Sequence, residues 1–146
     1  MNKSRVDLFH DAVMAFQQND YSQAIFLFEI ALNKPFLGLG NIDNGLILNN
    51  IATVYNKMGE YEKSAQFYER AIAEGLTNDD IYFSLAITYV RGGKNQKALP
   101  IYNLLVDRNP NNGKAYFLRG KHYQRMGEYI KGSNDLGKAA SLGYFG

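Results

Sequence analysis

Two histidines, His10 and His122, are the only imidazoles in the 146-residue chain, so acid–base or metal chemistry at neutral pH would have to start from them. They lie far apart in sequence, and neither has a second histidine at a ligand spacing such as His-x3-His. His10 adjoins Asp11, but neighbouring residues on a helix do not face each other. Glu60 and Glu62 place two carboxylates at a turn, where the start of a helix favours negative charge through its dipole. With no cysteine there is no thiolate nucleophile, no cysteine-based metal set and no disulfide frame, as suits a reducing compartment. Gly38-Leu39-Gly40 supplies two glycines of a dinucleotide loop, yet no strand precedes it and the third glycine's place holds Asp43. These residues predict no enzyme, no metal and no cofactor.

The chemistry that remains is recognition. Hydrophobic residues make up 46% of the chain and charged residues 21%, the balance of a soluble globular protein. No run approaches the roughly 18 consecutive apolar residues of a membrane span. The start, Met1-Asn2-Lys3-Ser4-Arg5-Val6-Asp7, has no apolar signal core, which predicts a cytoplasmic protein; a trimmed leader would leave the same start. Residues 1–75 carry 6 Lys/Arg against 9 Asp/Glu, a net −3, whereas residues 76–146 carry 10 against 5, a net +5. The basic half can steer an acidic partner, but it lacks the concentrated basic face of a nucleic-acid binder. The expected partner is another protein or peptide, with no nucleic acid and no membrane.

The elements that position these groups follow from a repeat. Tyr55-Asn56-Lys57-Met58-Gly59-Glu60-Tyr61 returns as Tyr123-Gln124-Arg125-Met126-Gly127-Glu128-Tyr129 at an offset of 68, and Tyr89 and Gly93 stand midway, so the period is 34. Small residues keep the same period, as Ala52, Ala86 and Gly120 and again as Ser64, Ala98 and Gly132. They let the backbone of a neighbouring helix come close while large residues such as Leu48, Tyr82 and Tyr116 fill the space alongside. The pattern predicts one domain over 1–146 made of four helical hairpins at about 3–36, 45–78, 79–112 and 113–146. In the first hairpin, a helix from Ser4 to Gln18 puts Val6, Phe9, Val13 and Phe16 on one stripe with Ser4 as N-cap. Asn19-Asp20 turns, and Tyr21 to Asn33 packs back through Ala24, Phe28 and Ala31 before Pro35 stops it. Ala24 to Ser64 is 40 residues, so six have been inserted. They fall in a loop at about 36–44, whose apolar residues are expected to fold back on the scaffold.

These residues resemble the tetratricopeptide repeat family, whose hairpins carry a large residue, a small one and Tyr in the first helix and Ala, an aromatic, Ala and Pro in the second. The second hairpin gives Leu48, Ile51-Ala52, Tyr55, Ser64, Tyr68 and Ala71; the third gives Tyr82, Leu85-Ala86, Tyr89, Ala98, Tyr102, Leu105 and Pro110. The fourth gives Tyr116, Arg119-Gly120, Tyr123, Gly132, Leu136 and Ala139, and the first is looser, with Leu8, Asp11-Ala12, Ala15, Ala24, Phe28, Ala31 and Pro35. The resemblance implies an all-α superhelix, a solenoid whose first helices line a concave groove. Pro100 is expected in the first turn of its helix, where proline is tolerated. The last helix, with Gly132, Ser133, Asn134, Gly137 and Ser141, is poor in apolar bulk.

By the same resemblance the groove is lined by Phe9, Val13 and Phe16 from the first hairpin and by Asn49, Asn50, Thr53, Asn56 and Lys57 from the second. The third adds Phe83, Ser84, Ile87 and Arg91, and the fourth Lys114, Phe117, Leu118, Lys121, Gln124 and Arg125. Apolar side chains, amides and a cation cluster together imply an adaptor for an apolar and acidic segment. Some members of the family clamp the C-terminal carboxylates of chaperones with Lys, Asn and further cations. Those places hold Phe9, Val13, Asn50, Asp80 and Ser84 in the first three hairpins, or Asn49, Thr53, Ser84, Lys114 and Leu118 in the last three. Only Asn50 and Lys114 fit, so no such clamp is predicted. Two alternatives stand beside the adaptor: self-assembly through Leu142, Tyr144 and Phe145 at the C-terminal end, and a secretion or assembly chaperone that shields a client.

Overall fold

A computed structural model describes residues 3–36 and 41–146. Its described residues form helices and no strand: α1 (Arg5–Gln17), α2 (Tyr21–Asn33), α3 (Asn44–Lys57), α4 (Tyr61–Ala73), α5 (Asp79–Arg91), α6 (Asn95–Arg108), α7 (Gly113–Arg125) and α8 (Tyr129–Ser141). The fold is the all-α, helical-hairpin class of the solenoids. The second helices α4, α6 and α8 begin 34 residues apart, while α2 begins 40 before α4, which accounts for the six inserted residues. Part of the predicted loop, residues 37–40 with Gly38-Leu39-Gly40, lies outside the described residues. None of the helices is long and apolar enough to cross a membrane.

The tyrosine–glycine signal has a backbone cause. Within each hairpin the turn closes when an N–H five residues on returns to a carbonyl near the end of the first helix. Glu60 donates to Tyr55, Lys94 to Tyr89 and Glu128 to Tyr123 at 2.7 to 2.9 Å. That closure needs a left-handed residue, supplied by Gly59, Gly93 and Gly127 at φ 77, 78 and 80°, and by Asn19 at 62° in the first hairpin. The same tyrosines are braced from the second helix. Lys63, Lys97 and Lys131 hold their ammonium groups 5.6, 5.5 and 5.6 Å from the centroids of Tyr55, Tyr89 and Tyr123.

The chain divides into two compact units, Met1–Ile81 and Tyr82–Gly146. In the first, Leu8, Ala12 and Ala15 of α1 meet Ala24, Phe28 and Ala31 of α2 and Ile47, Ile51 and Val54 of α3. Alanines at the contact bring the helices together, so the stripe expected from Val6, Phe9, Val13 and Phe16 is displaced to a half-buried shoulder. Phe9 packs edge-on to Phe28 at 5.5 Å, and Phe16 lies 5.7 Å from Tyr21. Ser4 caps α1 as expected, in a reciprocal box with Asp7 that holds the Asp7 carboxyl below its ordinary range. Arg5 is a core residue that hydropathy does not reveal. Its guanidinium, 4% exposed, donates to the Lys34 carbonyl and to the Asn44 side chain, joining the two ends of the insertion.

In the second unit Phe83, Leu105 and Ala115 form the core, with Tyr82, Ile101, Val106 and Leu118 packed against it. Tyr89 pairs with Lys97 and Tyr82 with Arg108, so α5 and α6 are antiparallel; Tyr102 meets His122 and Asn103 meets Arg119, so α6 and α7 are antiparallel too. Helices α5 and α7 therefore run the same way. Pro100 is the sixth residue of α6, inside the helix and not in the first turn, where its ring removes one backbone bond. The polar last helix is held by two devices. At the crossing of α7 and α8, a Cβ on Gly120 or Gly132 would stand 3.0 Å from the other's carbonyl oxygen. Beside it, Arg119 grips Asp135 with two bonds of 2.7 and 2.9 Å and reaches Asn103 at 3.1 Å.

Candidate peptide-binding face

The residues expected to line a groove fall in both units, and their environments differ. In the second unit, Lys114, Leu118, Lys121 and Arg125 recur at intervals of four, three and four residues along α7, which puts them on one stripe of the helix. Along the axis Lys114 and Lys121 are about 10 Å apart and Lys121 and Arg125 about 6 Å. Lys114 is half-buried, with its ammonium 4.6 Å from the centroid of the Phe83 ring, which fixes it in place. Lys121 and Arg125 are exposed, and among the described residues no carboxylate is paired with either. Leu118 is half-buried and supplies an apolar spot within the stripe. The matching places on α5 hold Asp80, Ser84, Ile87 and Arg91, of which Ser84 and Ile87 are half-buried and Asp80 and Arg91 exposed.

Two aromatic residues depart from the expectation of an open groove. Phe83, 5% exposed, belongs to the core, because it is roofed by Ala115 and Lys114 from the next hairpin. Phe117 is half-buried beneath the edge of Tyr144, with ring centroids 5.4 Å apart. Helical spacing alone places both on the groove side, but the chain that follows each hairpin covers that place. Of the C-terminal residues singled out for self-assembly, Phe145 is exposed, while Leu142 and Tyr144 are half-buried.

In the first unit Phe9, Val13 and Phe16 form the half-buried shoulder of the core. On α3, Asn49, Asn50, Thr53 and Asn56 are half-buried and Lys57 is exposed. Part of their hydrogen-bonding capacity is already used within the hairpin. The Asn50 amide donates to the Leu46 carbonyl at 2.8 Å, and the Thr53 hydroxyl lies 3.0 Å from the Asn49 carbonyl and 3.3 Å from the Tyr68 hydroxyl.

The second unit is also the basic one. It carries 10 Lys/Arg against 3 Asp/Glu, a net +7, whereas the first carries 6 against 11, a net −5. One of those three acids, Asp135, is spent on Arg119, whose pKa it raises. His122, next to Lys121 on α7, faces inward: it is 3% exposed, lies 5.8 Å from Tyr102, and its Nδ1 has no hydrogen-bond partner among the described residues. Burial, with Arg125 as a lesser cause, pushes its pKa down, so it is neutral at pH 7.

Helical hairpins that repeat every 34 residues and expose charged first-helix faces define an all-α repeat scaffold. The chain matches the tetratricopeptide repeat family over residues 47–73 and again over residues 80–112. It is 29% identical over 87 residues to the photosystem I assembly protein Ycf3 of Prochlorococcus marinus (strain MIT 9301), covering 60% of this chain and 49% of that protein. The chain thus spans about half the length of that curated relative. A tetratricopeptide repeat protein from Parabacteroides merdae ATCC 43184 superposes with a TM-score of 0.81 at 24% identity, over 94% of this chain and 52% of that one. YrrB, a tetratricopeptide repeat protein with an unusual peptide-binding site, superposes with a TM-score of 0.73 at 19% identity, over 92% of this chain and 66% of that one. At these identities the structural likenesses establish the fold alone.

Proposed function

We propose that the chain is a protein-binding scaffold that holds a carboxylate-bearing, partly apolar segment of another protein on the α5 and α7 face of its second unit. The observation that carries this reading is the stripe of Lys114, Lys121 and Arg125, to which no acidic side chain is paired among the described residues. A net +7 unit draws an acidic segment in from a distance, and Arg125 receives a carboxylate through two parallel N–H bonds. Leu118 and Ile87 offer the apolar contact between the charges. A structural neighbour known for a peptide-binding site and a relative known for photosystem assembly both favour a role in holding other proteins. The reading assigns no reaction to the chain.

The test is fluorescence anisotropy with a labelled peptide that alternates Glu and Leu, against a control with Lys in place of Glu. The Glu peptide is expected to bind, and Lys121→Glu with Arg125→Glu is expected to weaken it at least tenfold while helicity stays unchanged. Equal binding by the variant, or by the Lys control, refutes the assignment.

A further inference from the structure

Phe83 and Phe117 stand one repeat apart on α5 and α7, but they are covered differently. Phe83 lies beneath a helix, α7, through Lys114 and Ala115, and is buried. Phe117 is half-buried, and what lies on it is the non-helical segment that follows α8. The chain leaves α8 by the same closure that makes the hairpin turns. Gly143 is left-handed at φ 82°, and the Tyr144 N–H returns to the Ala139 carbonyl at 3.0 Å. That turn sends Tyr144 back across the start of α7, where Gly113 leaves room for it: a Cβ on Gly113 would stand 2.7 Å from the Tyr144 Cβ. The Tyr144 ring then meets Phe117 edge-on at 5.4 Å. The backbone of Gly146 lies against the same ring, since a Cβ there would be 2.9 Å from Phe117 Cζ.

Phe117 also stands between two cations. Lys114 precedes it by three residues and Lys121 follows it by four, the spacings at which side chains on one helix are neighbours. The Phe83 ring beside Lys114 places that ammonium and leaves its charge, and Lys121 is exposed. An aromatic ring flanked by positive charges suits one kind of segment, an aromatic side chain with a carboxylate on either side. Tyr144 supplies the aromatic part of such a segment, but its neighbours Gly143 and Phe145 carry no acidic side chain.

Resting on the binding face assigned above, we infer that Phe117 is its aromatic subsite and that Tyr144 occupies this subsite when no partner is bound. The partner is a segment of another protein with an aromatic residue between acidic ones, which displaces Tyr144 and adds the ion pairs that Tyr144 lacks. One aromatic contact replaces another in the exchange, so the charges decide it. The subsite is open only for the fraction of time that Tyr144 is off it, and the apparent dissociation constant rises by the inverse of that fraction. Loosening Tyr144 therefore strengthens binding.

Fluorescence anisotropy with a labelled Glu-Tyr-Glu peptide, against a Glu-Ser-Glu control, tests the inference. Tyr144→Ala is expected to bind the Tyr peptide roughly three- to tenfold more tightly than the wild type does, the contribution of one aromatic contact, and to bind the Ser control no better. Gly113→Ala reaches the same end by another route. Its methyl group crowds Tyr144 while Phe117 and both lysines stay in place, and alanine suits a helix better than glycine, so a gain there does not come from lost structure. Phe117→Ala added to Tyr144→Ala is expected to cancel the gain, and circular dichroism checks that each variant keeps its helicity. Unchanged or weaker binding of the Tyr peptide by Tyr144→Ala and Gly113→Ala, or an equal gain for the Ser control, overturns the inference. In that event, binding of the Glu-Leu peptide by the wild type, lost in Lys121→Glu with Arg125→Glu, leaves the proposed function standing. No binding of any acidic peptide by any form removes both.

Discussion

Replacing Asp135 by Ala leaves the Arg119 guanidinium without its partner in a place where it is poorly solvated. The two side chains are 17% and 9% exposed, and the pair is bidentate at 2.7 and 2.9 Å. Removing one member of a buried ion pair costs about 3–5 kcal/mol, mostly from the charge left behind. Asn103, at 3.1 Å, and the rings of Tyr116 and Tyr123, at 5.5 and 5.9 Å, remain to cushion the arginine, so the lower end, about 3 kcal/mol, is expected. The neighbouring hairpin solves the same packing problem with apolar groups: Leu85 stands one repeat before Arg119, and Ile101 one repeat before Asp135. Combining Arg119→Leu with Asp135→Ile should therefore recover most of the loss, leaving a net change within about 1 kcal/mol, because no charge stays buried. Urea unfolding followed by circular dichroism, on the wild type, both single variants and the double, measures the coupling. If the double variant is as unstable as the sum of the singles, the pair is not what binds α8 to α7, and that reasoning fails.

Glycines in the same helix should respond with opposite signs. Gly137→Ala meets nothing within 4 Å and should stabilise α8 by up to about 1 kcal/mol through helix propensity. Gly132→Ala should destabilise the chain, because its Cβ would lie 2.8 Å from Gln124 Cγ and 3.0 Å from the Gly120 carbonyl; thermal melts of both variants decide. Because the pKa of His122 is lowered on folding, its contribution to stability is complete above the unfolded value of about 6.5 and is lost as pH falls through the folded one. Acidification from neutrality should therefore lower the urea midpoint of the wild type more than that of His122→Thr, which installs the residue found one repeat earlier at Thr88. Arg5→Lys keeps the charge but cannot reach the Lys34 carbonyl and the Asn44 side chain together. It should speed hydrogen exchange at the start of α3, and unchanged exchange would show that Arg5 does not join the ends of the insertion.

The hairpins were legible because a turn that needs a left-handed residue recurs at a fixed period, and Gly59, Gly93 and Gly127 mark it plainly. The small residues at helix crossings were legible for the same reason. What hid was whatever departs from hydropathy. Arg5 and Arg119 are charged and sit in or beside the core, and the signal for Arg119 was available only as a register match with Leu85 and Ile51. Helical spacing assigns Phe83 and Phe117 to the right side of their helices, but it does not say that the next stretch of chain will cover them. For the same reason the face that survives as a candidate site is the cationic stripe of α7: long charged side chains stay solvated where aromatic ones are covered. The brace of Lys63, Lys97 and Lys131 over three tyrosines could have been read from its 34-residue period, since a cation opposite an aromatic at every turn of the array is a packing signal.

The central claim is that acidic segments land on the α7 stripe, and amide chemical-shift mapping during titration with the Glu-Leu peptide tests it most directly. Saturable shifts are expected, centred on Lys114, Leu118, Lys121 and Arg125, with smaller ones near Ile87. Shifts centred on the outer helices α2, α4, α6 or α8, or the same response to the Lys control peptide, would contradict it.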